Sequence, residues 1–316
     1  IDPDRNSNLF DICNKYWLPN DFNANSEFQH GDMFNLLHFN SRSLYKNFDS
    51  LHDFICQLDQ KFSVYGFSET WIHNNTPVSL FNLSGYTFFH NDREKCRGGG
   101  VAMLVQNSLN VVVRQDLCLL NAICESLFLE IYVQNKRNII IAVVYRDPHT
   151  NVEEFNCEID ACLQKLEKEN KDVYIMGDFN INLLHCSIVN HVNDFVNILY
   201  NKSYRPLIDK PTRICKSSTT LIDNIFTNVC SKDISSGIFY NDITDHLPIF
   251  SITQNNLNEN TNANKSRRCL TCNSTTIDSI GKELVNLDWS DIFQFDNVEL
   301  AYDCFFNKFN DVVSNK

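Results

Sequence analysis

Short apolar runs that stop abruptly on polar residues recur along this chain, and their length is that of strands. Residues 34–39 stop at Asn40-Ser41-Arg42-Ser43, and residues 62–67 stop at Ser68-Glu69-Thr70-Trp71. Residues 138–144, the most apolar run of all, lead into Tyr145 and Arg146, and residues 173–176 stop at Gly177-Asp178-Phe179-Asn180. Brief apolar runs bounded by turn residues read as buried strands. Gly177 allows a sharp turn or a close backbone approach, and Asp178 and Asn180, two residues apart, are expected on one side. Taken alone, each of these endings is also what an ordinary strand-to-loop turn looks like.

Between the strands the apolar spacing turns helical. Leu44, Phe48, Leu51, Ile55 and Leu58 predict a helix capped by Ser41 or Ser43. Phe155, Ile159, Cys162, Leu163 and Leu166 predict another over residues 152–168, and a third is expected over 191–200. Strands are expected near 86–90, 101–105, 111–113 and 127–133, then at 219–226 carrying Asp223, at 238–240, and at 247–252 just after Thr244-Asp245-His246. Gly98-Gly99-Gly100 precede a strand, whereas a phosphate cradle needs glycines between a strand and a helix, so they read as structural.

This pattern predicts an α/β sandwich over residues 31–253. Residues 1–30, rich in Asn and Asp, are expected to be a loosely organised flank, and residues 254–268 have linker composition. Two amphipathic helices should follow, one on Ile277, Ile280, Leu284 and Leu287, the other on Ala301, Phe305, Phe309 and Val313, making 254–316 a linker and helical connector.

Composition narrows the reading. Of 316 residues 43% are hydrophobic, with 24 phenylalanines, which supplies a sizeable core. A net charge of -12, from 39 acidic and 27 basic residues, excludes binding of nucleic acid by bulk electrostatics, so a polyanion must be met locally. The 13 cysteines are scattered and mostly sit in apolar runs, as buried thiols of a reducing compartment do. Cys269 and Cys272 have no second pair and no histidine after His246, which argues against zinc. No signal-like start and no apolar run approaching about 18 residues is present, so an intracellular protein with no membrane partner is expected. The chain begins at Ile1 and is expected to be a piece of something longer.

Polar strand endings in an α/β sandwich can converge on one rim, where ligand crevices form. Asn40, Glu69, Tyr145, Asp178, Asp223, Asp245 and His246 would then bring four carboxylates and an imidazole together. Crowded carboxylates raise their own pKa values or recruit a cation. Mg²⁺ suits such a site because it takes few protein ligands and keeps waters, and Mn²⁺ is a plausible substitute.

The ordered series Asn40, Ser68-Glu69-Thr70-Trp71, Tyr145-Arg146, Gly177-Asp178-Phe179-Asn180, Asp223 and Thr244-Asp245-His246 resembles the endonuclease/exonuclease/phosphatase superfamily over about residues 31–253. Phe39-Asn40-Ser41-Arg42-Ser43-Leu44, Arg97-Gly98-Gly99-Gly100-Val101, Pro211-Thr212-Arg213 and Leu221-Ile222-Asp223-Asn224-Ile225-Phe226 are similar to the apurinic-endonuclease-like domain of non-LTR (LINE-type) retrotransposon polyproteins. The resemblance implies a four-layer, deoxyribonuclease-I-like sandwich of two mostly antiparallel or mixed sheets flanked by helices. It implies Glu69 as main Mg²⁺ ligand with Asn40 and Asp245 near the ion, Asp178 and Asn180 handling the attacking water, and Tyr145 and His246 holding the phosphate. Asp223 would fix the imidazole tautomer, and either Asp178 or His246 would be the base. Arg42, Arg97, Arg146 and Arg213, with Arg93 and Lys95 beside them, are the candidate DNA contacts. Thr244 stands where serine is more usual and keeps the hydroxyl.

The implied activity is Mg²⁺-dependent nicking of double-stranded DNA, leaving a 3′-hydroxyl that primes a reverse transcriptase encoded further along the polyprotein, in the nucleus. Abasic-site repair, a phosphatase activity and an inactive binding remnant are the competing expectations.

Overall fold

In chain order the elements up to residue 253 are β1 (Tyr16–Trp17), α1 (Pro19–Asn23), β2 (Phe34–Asn40), α2 (Leu44–Gln57), β3 (Val64–Ser68), β4 (Tyr86–Asn91), β5 (Val101–Gln106), β6 (Asn110–Val113), β7 (Cys124–Tyr132), β8 (Ile139–Arg146), α3 (Val152–Glu167), β9 (Asp172–Asp178), α4 (Asn190–Asn201), β10 (Arg205–Pro206), β11 (Arg213–Ile214), β12 (Thr219–Thr220), β13 (Asp223–Thr227), β14 (Ile234–Phe239) and β15 (Ile249–Thr253). This computed structural model describes residues 13–28, 33–253 except 74, 94–97, 187, 217 and 231–233, and 274–314 except 296. Residues 1–260 and 261–316 are separate units. Residues 1–12, the expected linker at 254–268, Cys269, Cys272, Lys95 and Arg97 lie outside the described residues.

Two large sheets carry the first unit. One has seven strands in the order β1-β14-β15-β2-β3-β5-β4, the other six in the order β10-β13-β9-β8-β7-β6, and β11 and β12 form a separate hairpin. Within them β2 and β3 are parallel, as are β8 and β9, while most other pairs are antiparallel. The sheets meet face to face: a Cβ on Gly66 of the first would fall 2.7 Å from Cε of Met176 and 2.8 Å from Cγ2 of Val143 in the second. Every residue of β2 and β8 is buried, because each central strand has a sheet on one side and a helix on the other.

Helices complete the four layers. On the first sheet, Leu44, Leu51, Phe54 and Ile55 of α2 pack in one apolar cluster with Leu37, Phe39 and Phe67. On the second, Phe155, Ile159 and Leu163 of α3 and Phe195 and Leu199 of α4 join the inter-sheet cluster. α2 starts on an expected cap, Oγ of Ser43 accepting from Lys46 N at 3.4 Å, and α3 on Asn151, whose Oδ1 accepts from Glu153 N at 2.7 Å. The α/β sandwich expected from the strand and helix pattern is the fold observed.

The loosely organised flank expected at residues 1–30 is corrected over residues 13–28. Tyr16 and Trp17 pair in parallel with Ile238 and Phe239, and Phe22 stacks on Phe28 at 4.8 Å and meets Phe250 at 5.2 Å. The segment shows no periodicity because it is anchored by a few aromatic side chains in a two-residue strand and one short helix, too brief for a repeat to show.

The second unit contains α5 (Ser274–Asn286) and α6 (Val298–Ser314). Trp289 lies 5.5 Å from Phe305 between ring centroids and donates to Leu284 O at 3.1 Å. No helix among the described residues is long and apolar enough to cross a membrane.

Candidate active site

Strand direction explains why residues so far apart in the chain meet. Parallel β2 and β3 leave their sheet on one edge, delivering Asn40 and, just past Ser68, Glu69. Parallel β8 and β9 do the same in the other sheet, placing Tyr145 opposite Asp178. The antiparallel partners must start where these end, so Asp223 opens β13 opposite Asp178, and His246 precedes β15, whose Ile249 faces His38. One rim therefore collects the ends of four strands and the beginnings of two.

Polar bonds join the two sheets at that rim. Nδ2 of Asn40 donates to Oε1 of Glu69 at 2.9 Å and to Oδ2 of Asp178 at 2.8 Å. The second oxygen of Asp178 accepts from Asn180 N at 2.9 Å, and Nε1 of Trp71 donates to Oε2 of Glu69 at 3.2 Å. Gly177 is required by the approach of β8: a Cβ there would strike the carbonyl oxygen of Val144. Among the described residues eight non-glycine positions have positive φ, and five of them, Arg42, Ser43, Glu69, Trp71 and Asn180, lie in the loops of this rim. Backbone held in a sparsely populated region gathers at functional sites because the surroundings over-determine it.

Nδ1 of His246 lies 2.9 Å from Oδ2 of Asp223, with both side chains buried. Asp223 is itself fixed by Oγ1 of Thr212, which donates to its Oδ2 at 2.7 Å. Burial alone lowers a histidine, but the charge and hydrogen bond of Asp223 outweigh it and raise His246 to about 9. Asp178 is pushed up to about 7, first by burial and then by the charge of Asp223, with His246 pulling the other way. Tyr145 is likewise raised, by burial and then by the charges of Glu69 and Asp178.

Glu69, Asp178 and His246 each present one possible ligand atom, all within 4.8 Å of one another. Two carboxylates held this close, one of them buried and pushed toward neutrality, suit a divalent cation with oxygen ligands. Asn40 presents its amide nitrogen to the carboxylates while its oxygen accepts from Arg42 N at 3.2 Å, so it acts as a donor that aligns both acids. Serving as a ligand would require turning that amide over. Asp245 stands apart from the cluster: Oδ1 pairs with Arg42 at 2.6 Å and Oδ2 with Arg213 at 2.8 Å. Burial would raise this carboxyl, but the two arginines hold it well below the usual range.

The basic candidates divide. Arg42 and Arg213 are partly exposed at the rim, each tied to Asp245. Arg146, expected at the DNA, is buried and donates to the backbone oxygens of Phe179, Thr150 and Asn180 at 2.8, 2.7 and 2.8 Å. That expectation is corrected: the guanidinium is buried, bridging carbonyls of the turn after β9 and of the loop before α3. Arg93 is engaged with Glu125 and Asp147.

Two residues bonded to the site, Trp71 and Thr212, and one behind it, Glu125, escaped the reading of the sequence. Trp71 and Thr212 sit inside recognised motifs, and their side chains' geometry alone shows what they do. Glu125 had a weak signal, one of two acids, with Glu130, in a mostly apolar strand.

Comparison with known families matches residues 22–246 to the endonuclease/exonuclease/phosphatase family. Among solved structures the chain is similar to the endonuclease domain of TRAS1, a telomere-specific non-LTR retrotransposon, at 16% identity and a TM-score of 0.56, covering 71% of this chain and 99% of that one. It is similar to the AP endonuclease LMAP from Leishmania major at 13% identity and a TM-score of 0.59, covering 77% and 93%. A 3′ phosphatase, NExo from Neisseria, bound to a product DNA hairpin, is similar at 10% identity and a TM-score of 0.52, covering 69% and 98%. No curated protein matches.

Proposed function

The chain belongs to the endonuclease/exonuclease/phosphatase family, and from that premise we propose that it is a Mg²⁺-dependent endonuclease that nicks double-stranded DNA. One observation carries the reading: Glu69, Asp178 and His246 converge within 4.8 Å, with Asn40 bonded to both acids and Asp223 to the imidazole. These positions come from both sheets, and Asn40 bonds an acid of each across the rim.

Glu69 and Asp178 would hold the cation, which when bound offsets the negative charge that builds on the phosphate oxygens. Asp223 keeps His246 oriented and, with its pKa raised to about 9, charged at neutral pH, so the ring donates to a non-bridging oxygen. Asp178, its oxygens aligned by Asn40 and Asn180, takes the proton of the attacking water. In-line attack at phosphorus breaks the bond to O3′, which takes up a proton and leaves as a 3′-hydroxyl opposite a 5′-phosphate. Tyr145, buried beside Asp178 and with a raised pKa, stays a neutral donor to the same phosphate.

A nick ending in a 3′-hydroxyl is what a polymerase needs as a primer. We assign the chain to target-primed reverse transcription, as the endonuclease part of a retrotransposon polyprotein with a reverse transcriptase after the helical connector, acting in the nucleus. The likeness to the retrotransposon endonuclease domain supports this assignment at the level of fold.

The test is cleavage of end-labelled intact and abasic duplexes of one sequence, followed by extension of the products with a DNA polymerase. Nicks in intact duplex that extend directly are expected. Cleavage confined to the abasic duplex, or ends that do not extend, would overturn the reading.

A further inference from the structure

Glu69 sits on strained backbone, with φ 51, and Trp71 two residues on has φ 54. Left-handed conformations cost a non-glycine residue energy, and something must hold them. From one side the β2–α2 loop does so: Ser43 N and Oγ of Ser41 donate to Glu69 O at 2.9 and 3.0 Å. From the other side, Thr70 N donates to Gly100 O at 3.2 Å and Trp71 N to Gly99 O at 2.9 Å.

The glycine turn is itself braced. Its three residues have φ of 99, 67 and 84, and a turn with that freedom does not stay in one shape unaided. Gly100 N donates to Oε2 of Glu125, and Arg93 donates to Oε1 of the same carboxylate. The Glu125 side chain is 1% exposed. A Cβ on Gly99 would fall 2.6 Å from its Oε1 and 2.8 Å from Cζ of Arg93, so the carboxylate and guanidinium pack directly against the turn.

We infer that Glu125, clamped by Arg93, is a positioning residue for the metal ligand Glu69, acting through the Gly99-Gly100 turn. Glu125 does not reach the site, and its stabilising contacts alone do not explain its place. Toward the other end of the same strand Glu130 is also buried, though less deeply, and makes ion pairs with Arg114 and Lys171 at 2.9 and 2.7 Å. The two acids share a strand and both are buried, but only Glu125 is tied, through the glycine turn, to the loop that carries Glu69. The inference rests on the proposed role of Glu69 as a cation ligand.

The test is binding of Mn²⁺ alone to the full chain, followed by the electron paramagnetic resonance of free Mn²⁺, with thermal unfolding measured in parallel. Residues that orient metal ligands typically shift affinity by about 10- to 100-fold. Glu125→Gln is expected to raise the half-saturating Mn²⁺ concentration about tenfold, whereas Glu130→Gln lowers the melting temperature and leaves Mn²⁺ binding as in wild type. Should Glu125→Gln not fold, Arg93→Ala, which removes the outer half of the clamp, takes its place with the same expected shift. Wild-type Mn²⁺ binding in the folded variant overturns the brace. Wild-type binding in Glu69→Gln would instead overturn the metal site itself, so the two failures are distinguishable.

Discussion

Nδ1 of His246 lies 2.9 Å from Oδ2 of Asp223, though one residue precedes a strand of the first sheet and the other opens a strand of the second. The pair is a buried charge contact that spans the sandwich. Its effect on stability has a definite pH dependence. The folded value of His246, about 9, exceeds its ordinary 6.5, so the pair's contribution is fully present below pH 6.5 and is lost as pH rises through 9. In metal-free buffer the melting temperature of wild type minus that of His246→Gln should therefore be largest near the lower value and shrink across the window. A difference that grows with pH contradicts the assignment.

Asp178 works in the opposite sense. An acid whose folded pKa is raised from 3.8 to about 7 opposes folding increasingly as pH climbs between those values. Asp178→Asn should abolish nicking yet melt higher than wild type in metal-free buffer at neutral pH, by about 2–4 °C for each kcal/mol relieved. Adding Mg²⁺ should close the gap by stabilising wild type alone. Thermal scans with and without Mg²⁺ at pH 5 and 8 decide this, and an Asn variant less stable than wild type at pH 8 counts against it.

The arginines should separate stability from DNA affinity. Arg146→Ala leaves the carbonyls of Phe179 and Asn180, in the turn after β9, and of Thr150, in the loop before α3, without this donor, and a buried group so abandoned costs about 1–3 kcal/mol. Denaturant unfolding should show a loss of about 1–3 kcal/mol. Arg42→Ala and Arg213→Ala should unfold like wild type but weaken duplex binding, each reducing the slope of log K against log salt by about 0.9. Titrations at several salt concentrations with Asp178→Asn as the inactive background provide the measurement.

The order of polar strand endings was legible without coordinates because the chemistry sits where apolar runs stop, and Asn40, Glu69, Tyr145 and Asp178 each close one. His246 was legible for the complementary reason, standing just before a strand, whereas Asp223 was expected inside a strand at 219–226 and in fact opens one at 223. Less visible were interactions that depend on which partner reaches a group first. Arg146 follows Tyr145 and looks like a surface base, yet carbonyls of a turn 33 residues on capture it. Asp245 adjoins His246 in sequence, yet its carboxylate is taken up by Arg42 and Arg213. The brace of Glu125 on the glycine turn is a long-range bond between a side chain and backbone, which no local pattern reports.

Conversion of supercoiled plasmid to the open circle tests the proposed chemistry most directly. With Mg²⁺ the wild-type chain should nick, EDTA should stop it, and Glu69→Gln and His246→Ala should each slow it by at least about 10²-fold, the scale of losing a principal charge-stabilising group. Nicking by Glu69→Gln at the wild-type rate, or nicking by the wild type that persists in EDTA, would contradict a metal-dependent site built on Glu69, Asp178 and His246.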